Sequence, residues 1–527
     1  MKIYSQTIVI PTRNRQETAV FAVKSCLNAS YDKKQIVVVD NSDDDSLKNL
    51  LSDAGVLNLI DYHKNDSVLS MRDNWEKGLE IADGELISVI GDDDAILKSS
   101  MEVANFAFNR AEIDVLNGSS ALYKWPNYPF PGRKNYLSFG FGEEIKINKQ
   151  PQEMLRSVYS YEVDLGTGPG LYYGFVKKEF MNRLKKIRGK YLIDKIPDFD
   201  SGYATLLYAK AYAISNRPLF IQGHSAKSNS GSMRYTSTQR KNIEIFASES
   251  HESIDGIFSS SLSDLRSNEA VIVSAQLRFL EEIERVLGKN ALVLNKEKAW
   301  NYIKKGLSEG YDAIGFISSI PMLKRLSEEW NIPYAINNKF QPGISNSSLI
   351  YEQGFIKKIN SNATELNSSN TNSNAYYAVV VNGVKLGFQN ILDAVNHVDA
   401  MLPTMRSSTD KDFADYSKKL AAPEMDFKLL SVRQLINQEN YEEAFDLLEE
   451  ILSVGDVDMV ANNEVEAVAE NLQAYDWASR YFARRFSATG SLIELERLIT
   501  YYKKIGADEL INNLNNGLSL LKIEKSH

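Results

Sequence analysis

Up to about residue 100, apolar runs and polar turns follow one another so that strand and helix are predicted in alternation. TIVIP (7–11) is a short β-rich run stopped by Pro11. ETAVFAVKSCLNA (17–29) has helical spacing, with Ala19, Val23, Cys26 and Leu27 near one face. QIVVVD (35–40) is a second buried strand, followed by the polar turn NSDDDS. SLKNLLSDAG reads as a short helix ending at Gly55, NLIDYH as a third strand, and MRDNWEKGLEIADG as a helix leading into the apolar run ELISVI. This spacing predicts an α/β domain whose sheet is mostly parallel and whose crossover helices flank it in the Rossmann manner. Ligands of such sheets sit outside the carboxyl ends of the strands, so the loops at 11–15, 40–42 and 91–94 are the places to look for chemistry.

From about 101 to 230 the pattern is mixed. MEVANFAFNRA is helical, VLNGSSALYKW strand-like, and an aromatic, Gly/Pro-rich segment runs through Phe141. DLGTGPGLYYGFVKKEFMNRLKKI reads as a glycine-rich loop, a strand and a helix. IPDFDSGYATLLYAKAYA places acidic residues at a helix start, and PLFIQGHSAKSNSGS ends the region with a strand and a polar loop. Beyond about 240 the chain reads as mainly helical. The Asn/Ser-rich stretch 359–374 reads as a linker or exposed loop, and 375–388 as a hairpin turned at Asn382–Gly383. NYEEAFDLLEEILSVG (440–455) has the spacing of a tetratricopeptide-type helix, but no second clean copy is visible. The expected organisation is a first domain over 1–240, a helical extension over 241–358, the linker over 359–374, and a mainly helical C-terminal domain over 375–527, tetratricopeptide-like in part.

Composition narrows the function classes. At 527 residues the chain exceeds one ordinary domain, and 43% hydrophobic with 24% charged residues is a globular balance. A net charge of −9 argues against a duplex nucleic-acid binder, which needs a basic face. The single cysteine, Cys26, excludes an intramolecular disulfide and sits in a helix interior, where packing is the expected role. The N-terminus lacks the apolar core of a signal peptide, and no uninterrupted apolar run is long enough to span a bilayer. A cytoplasmic protein is expected, with peripheral attachment to the inner face of the membrane left open.

The most informative chemistry follows ELISVI, where the chain turns at Gly91 and presents Asp92, Asp93 and Asp94 in succession. Two carboxylates about 5 Å apart repel by about 3 kcal/mol at an effective dielectric of about 20, so such a cluster needs solvent or a cation. A divalent ion held by one or two carboxylates, with substrate phosphates completing its shell, meets that need. A solvated acidic turn is the plain alternative.

TIVIPTRNRQET, VVVDNSDDDS, DNWEKGLEIADGELISVIGDDDAIL and IPDFDSGYATLL occur in the order found in family 2-like glycosyltransferases of GT-A fold, and over about residues 5–235 the chain resembles that family. The resemblance implies a nucleotide-diphosphate sugar donor, a divalent metal (Mn²⁺ or Mg²⁺), and inverting transfer. Pro11, Thr12, Arg13 and Arg15 match the loop lining the donor nucleotide, although many relatives have an aromatic residue in place of Arg13. Asp40 matches the acidic residue that meets the base, with Asn41 and Ser42 beside it; Asp43, Asp44 and Asp45 read as a solvated turn. Asp73 and Asn74 resemble the helix-start residues below the donor, with an ordinary capping role as the alternative for Asn74. The family's Asp-x-Asp motif is shifted here: its first aspartate falls on Gly91 and its second on Asp93. Asp93 is therefore the expected principal metal ligand, with Asp92 contacting ribose or metal and Asp94 as a second ligand or a group orienting the sugar. The family's general base precedes a helix farther along the chain, which points to Asp198 first and Asp200 second; either could instead be a helix cap. His224 is a candidate metal ligand or phosphate donor, with Lys227 adding charge. Tyr172, Tyr173 and the segment 125–130 are candidates for an acceptor wall, with packing as their alternative.

The reading that unites these features is a metal-dependent inverting glycosyltransferase serving surface polysaccharide or glycoconjugate synthesis, with a glycan, lipid-linked glycan or protein as acceptor. The C-terminal helices would recruit the acceptor, a protein partner or a membrane surface. The alternative is a catalytically degenerate GT-A domain acting as an assembly scaffold. A nucleotidyltransferase is disfavoured because PTRNRQET lacks the glycine-rich basic loop such enzymes carry after their first strand.

Overall fold

The Val/Ile runs of the N-terminal region form the middle of one extended sheet in the computed structural model. It describes residues 1–128, 134–142, 144–163, 168–228, 247–248, 262, 265, 267–308, 313–334, 356–359, 376–384, 386–405, 425–454, 460 and 462–524. The chain begins β1 (Gln6–Thr12), α1 (Gln16–Leu27), β2 (Lys34–Asp40), α2 (Ser46–Asp53), β3 (Asp61–Lys64), α3 (Met71–Ile81) and β4 (Leu86–Val89). Strand β1 runs parallel to β2 and β4, and β2 parallel to β3. Successive side chains of a strand face opposite sides, so an unbroken apolar run is buried on both. Val9, Val37, Val39 and Val89 pack with Trp75 and Leu79 of α3, while Ile8, Ile10, Ile36 and Val38 pack with Ala19, Val23 and Cys26 of α1. Burial pushes the Cys26 thiol up to about 12, in keeping with a packing role. Pro11 does not stop β1, which continues to Thr12. Its pairing with β4 ends at Val9, so the proline lies where β2 alone is a neighbour.

Next come β5 (Ala95–Ile96), α4 (Ser100–Arg110), β6 (Val115–Lys124), β7 (Tyr136–Phe141), β8 (Ile145–Asn148), α5 (Pro151–Tyr159), β9 (Gly174–Lys177), α6 (Lys178–Arg188), α7 (Pro197–Tyr208) and β10 (Tyr212–His224). Here antiparallel strands join the parallel ones and make the sheet mixed. Strand β9 lies antiparallel between β4 and β6, β7 is antiparallel to β6, and β10 pairs parallel with β6 but antiparallel with β5 and β8. Antiparallel neighbours need no crossover helix, which is why strand signals crowd together in this part of the sequence. The result is a mixed-sheet GT-A-like domain.

The helices α8 (Asn268–Leu287), α9 (Lys296–Ser308) and α10 (Ala313–Trp330) share an apolar core with α5 and α7, centred on Tyr159, Tyr203, Phe279 and Trp300. Next come β11 (Ile356–Ile359), β12 (Tyr376–Asn382) and α11 (Ile391–Met405). Strand β12 pairs antiparallel with β7 and with β11, and α11 packs Ile391, Val395, Val398 and Leu402 on the same face as Ala95 and Ile221. Residues expected to open a separate C-terminal domain thus extend the N-terminal sheet. The hairpin expected at Asn382–Gly383 is not formed: Gly383 instead donates its N–H to the Asn135 carbonyl at 2.7 Å, and the chain turns toward α11. Of the expected linker over 359–374, all but Ile359 lies outside the described residues.

The C-terminal region pairs α12 (Met425–Asn437) with α13 (Tyr441–Val454), α14 (Asn462–Asn471) with α15 (Tyr475–Thr489), and α16 (Leu492–Lys504) with α17 (Asp508–Glu524). These pairs share one turn. Glu439, Gln473 and Gly506 each take positive φ, and the next residue donates its N–H to Leu435, Ala469 and Tyr502 respectively. The turns recur about every 34 residues, so the chain does hold further copies of the helix pair. They escape notice in the sequence because glutamate, glutamine and glycine fill the same left-handed position, and the alanine that stands at 444 and 478 in the first two copies is replaced by Ile511 in the last. Both flanks of the array are attached. Lys134, beside β7, pairs with Glu449 of α13 at 3.3 Å and lies over the Phe445 ring, and Glu449 also accepts the Trp477 Nε1–H at 2.6 Å. At the other end α17 packs along α10, with Ile317 and Leu514 in one core. Among the described residues no helix is long and apolar enough to cross a membrane.

Candidate active site

Parallel strands β1, β2 and β4 deliver their carboxyl-end loops to one edge of the sheet, and those loops are tied to each other by polar side chains. Thr12 donates its hydroxyl to Asp92 Oδ2 at 2.7 Å, and Arg15 donates Nη1–H to Asp92 Oδ1 at 3.1 Å. Burial works against the Arg15 charge, but Asp92 and Asp93 outweigh it and raise its pKa. Arg13 lies 3.6 Å from Asp43, and Asn14 bonds Ser42 and Asp43. Lys227 reaches across from beyond β10 to the Asn14 carbonyl. Thr12 and Arg15 therefore meet at Asp92, while Arg13 and Asn14 lie against the turn that carries Ser42 and Asp43.

Asp40 is fully buried. Its Oδ1 accepts from the Ser42 N–H, and its Oδ2 from the Tyr62 hydroxyl at 2.6 Å, with Lys64 Nζ at 3.5 Å. Tyr62 and Lys64 went unnoticed in the sequence because β3 shows no motif, yet its register sets them beside Asp40. Asn41 pairs its amide with the backbone of Leu69, and Asn65 links Asn41 to Asn74. Asn41 and Asn74 thus belong to a buried amide network that fixes the floor of the site. Asp73 is held by Ser70 and Arg72 at the start of α3.

In the acidic turn the three carboxylates have separate environments. Asp94 folds back onto its own turn: Oδ2 accepts from Gly91 N–H at 2.7 Å and from the Tyr172 and Tyr173 hydroxyls at 2.9 Å, and Oδ1 from Gly223 N–H at 2.7 Å. Burial first, and the Asp93 charge second, push it up to about 7. A Cβ on residue 91 would meet Asp94 Oδ2 at 2.7 Å, so the missing first aspartate of the family motif reflects space already occupied by Asp94. Asp93 differs. Among the described residues its donors are the N–H and Oγ of Ser225, both reaching Oδ2, which leaves Oδ1 open to a ligand. Burial pushes Asp93 up to about 6 against the pull of Arg15. Ser225 is a further site residue that the sequence offered only as a neighbour of His224.

His224 ends β10 as a buried side chain stacked on Tyr128. Trp125 donates Nε1–H to the Asp93 carbonyl, and Tyr172 and Tyr173 are donors to Asp94, so these aromatics hold the acidic turn in place. Pro129 and Phe130, also expected in that wall, lie outside the described residues.

The two base candidates separate in the same way. Asp200 is buried, with Oδ1 accepting from Arg188 at 2.5 Å and Oδ2 from the Ile193 N–H at 2.9 Å. Asp198, in the first turn of α7, has an enclosed Oδ1 with no hydrogen-bond partner among the described residues. Burial pushes it up to about 6, opposed by the amides at the helix start. The segment before β9 connects the two ends of the site: Tyr172 bonds Asp94, while the Leu171 N–H bonds Ser201, whose hydroxyl bonds the Asp198 carbonyl.

Among the described residues no three metal-ligating side chains come together, so a metal here would take most of its shell from water and phosphate. The open Oδ1 of a buried, raised-pKa Asp93 fits such an ion as a single anchoring carboxylate. Asp94 is less suited to a second ligand, since Oδ2 takes three donors within the protein and Oδ1 takes the Gly223 N–H.

Residues 7–164 match the family model for glycosyl transferase family 2. This part of the chain is a family 2 glycosyltransferase domain of GT-A fold, the domain of a sugar-transferring enzyme. Among solved structures, S. aureus TarS is similar at 14% identity and a TM-score of 0.35, covering 72% of this chain and 73% of that one. Residues 1–349 of S. aureus TarS in complex with UDP give 15% identity and a TM-score of 0.30, covering 62% and 82%. The same fragment in complex with UDP-GlcNAc gives 14% and 0.32, covering 64% and 95%. No curated protein matches the chain.

Proposed function

We propose that this chain transfers a sugar with inversion from a nucleotide-diphosphate donor to a hydroxyl of a glycan, lipid-linked glycan or protein, with Asp198 as general base. One observation carries the reading. Asp40, Asp73, Asp92, Asp94 and Asp200 each have both carboxylate oxygens bonded within the protein. Among the described residues, Asp93 and Asp198 each have one oxygen without a donor. On this reading Asp93 serves the departing diphosphate and Asp198 the acceptor.

In the reaction the acceptor oxygen attacks the anomeric carbon, its proton passes to an Asp198 carboxylate oxygen, and the bond from that carbon to the diphosphate oxygen breaks. The nucleoside diphosphate leaves with the bonding electrons. A carboxylate raised to about 6 is ionised at neutral pH yet more basic than an ordinary aspartate, which suits it to accept that proton. Asp93 would hold the divalent metal, Mn²⁺ or Mg²⁺, which when bound neutralises charge on the departing diphosphate. Arg15, fixed by Asp92, and Lys227 add positive charge where phosphates would lie. Nucleotide sugars are cytoplasmic metabolites, so we place the protein in the cytoplasm, with its C-terminal helix pairs toward the acceptor, a partner or the inner membrane face.

The test is release of nucleoside diphosphate from UDP-N-acetylglucosamine, UDP-glucose, UDP-galactose, GDP-mannose and dTDP-rhamnose with Mn²⁺ or Mg²⁺, joined to calorimetric binding of UDP and GDP. Turnover of one donor, with metal-dependent nucleotide binding lost in Asp93→Ala, supports the proposal. Metal-independent binding that Asp93→Ala leaves unchanged, with no donor turned over, would favour a scaffold instead.

A further inference from the structure

We propose that helix α8, outside the stretch matched by the family model, is a working part of the site: its Arg278 and Glu282 are positioning residues that hold the loop and helix start bearing Asp198. The inference rests on the assignment of Asp198 as base. Arg278 and Glu282 are four residues apart on one face of α8, amid the buried Ala275, Phe279 and Ile283. Each reaches the residues around Asp198 through one ion-paired intermediary.

Arg278 grips Asp194 at both carboxylate oxygens, Nε to Oδ2 at 2.6 Å and Nη2 to Oδ1 at 2.8 Å. The same Oδ1 accepts the Ile196 N–H at 2.9 Å. Ile196 is the N-cap of α7, and its carbonyl accepts the Asp200 N–H as the first helical turn closes around Asp198. A second clamp enters from Glu282, which takes Arg188 Nε at 2.8 Å and Nη2 at 3.1 Å. Arg188 in turn bonds Asp200 and the Tyr191 carbonyl, and Asp200 secures the Ile193 N–H. The loop between α6 and α7 is thus pinned at both ends by α8.

Arg188 has a fully buried side chain. Burial opposes its charge, but Asp200 and Glu282 outweigh that and raise its pKa. Taking such a cluster out of water is costly, and apolar residues of similar volume often stabilise as well or better. What apolar packing does not supply is bidentate, directional geometry, and geometry is what a general base requires. Tyr191, Leu192 and Ile196 bury apolar side chains from this loop while Ile193 is exposed, so packing anchors the loop and the ion pairs add the directional constraint.

The experiment compares donor hydrolysis by the full chain and its Arg278→Gln, Arg278→Lys, Asp194→Asn and Asp198→Asn variants, using the member of the nucleotide-sugar panel that the unaltered protein turns over. The titratable groups facing Asp198 are Asp194 from the loop and Tyr203 from α7, with Arg278 of α8 behind Asp194. Arg278→Gln is expected to lower kcat by about tenfold or more with little change in the donor KM, since a small misplacement of a reacting group is expensive. It should also move the acid limb of the pH–rate profile upward, because the Asp194 charge is then uncompensated. Asp194→Asn should lower kcat as well but move that limb downward, and Arg278→Lys should recover much of the rate. Unchanged kcat in a folded Arg278→Gln overturns the inference. So does a loss that lysine fails to rescue and that leaves the acid limb in place, which would mark a merely structural contact. If Arg278→Gln does not fold, the sign of the Asp194→Asn limb shift decides in its place. Retained activity in Asp198→Asn sinks the base assignment, and the positioning role with it. Loss there beside an unaffected Arg278→Gln sinks the positioning role alone.

Discussion

Replacing Asp198 by asparagine should inactivate the enzyme and stabilise the protein at once. The carboxyl is raised from an ordinary 3.8 to about 6, chiefly by burial. At about 1.4 kcal/mol per tenfold, keeping it ionised at neutral pH costs the fold about 3 kcal/mol, and solvent at the rim of this half-buried residue reduces that to about 1–2 kcal/mol. The sign follows from where the proton is held more tightly. The folded protein binds it better than the unfolded chain, so stability is undiminished below about pH 4 and is drawn down as pH climbs through about 6. An asparagine at this position carries no such charge, so Asp198→Asn should raise the first melting transition by a few degrees at about pH 7.5 and by almost nothing at about pH 4. Donor hydrolysis should fall by about 10²-fold or more, the usual contribution of a general base. In the unaltered protein the rate should drop about tenfold between pH 7 and pH 5, as the ionised fraction falls to about a tenth. The two assays are differential scanning fluorimetry across pH and nucleoside diphosphate release. A stability gain that persists undiminished at pH 4, or no gain at pH 7.5, would refute the burial argument; undiminished hydrolysis would remove Asp198 from the mechanism.

Gly223→Ala should be strongly destabilising, because the added Cβ would overlap the Asp93 backbone carbonyl; a loss of about 1–3 kcal/mol or more in urea unfolding is expected, together with nucleotide binding. Glu449→Ala should loosen the C-terminal helix pairs by about 1–3 kcal/mol, since it leaves the Trp477 N–H and Lys134 without their shared acceptor, and limited proteolysis should then cut sooner within residues 425–524. Cys26, buried and with its thiol raised to about 12, should resist a thiol reagent at about pH 8 in the native protein and react fully once unfolded.

The central strands were legible because β-branched runs at β1, β2 and β4 leave little choice of element, and their end loops carried the motifs. The antiparallel half was less legible, since the pairing of β12 with β7 joins segments separated by more than two hundred residues and nothing local announces it. The gathering of Thr12, Arg15 and Asp92 could be anticipated from strand order alone. Which aspartate keeps an open oxygen could not. Asp93 and Asp94 are adjacent and chemically identical in the sequence, and differ only because the tyrosines at 172 and 173 and Gly223 converge on one of them. Likewise Asp198 and Asp200 share a helix start, and it is Arg188, from the preceding helix, that takes the second out of play. The repeated helix pairs were hidden for the converse reason: backbone geometry recurs there while residue identity does not.

Attachment at both flanks gives the helix-pair array a set length. Where a solenoid has a free end, units can be gained or lost with only a local interface at stake. Here one flank is bolted to the sheet through Lys134 and Glu449, and the other lies along α10. Insertion or deletion of a single pair would pull one of those joints apart. The array therefore behaves as a strut cut to measure, its number of units dictated by the distance between the sheet at Lys134 and α10.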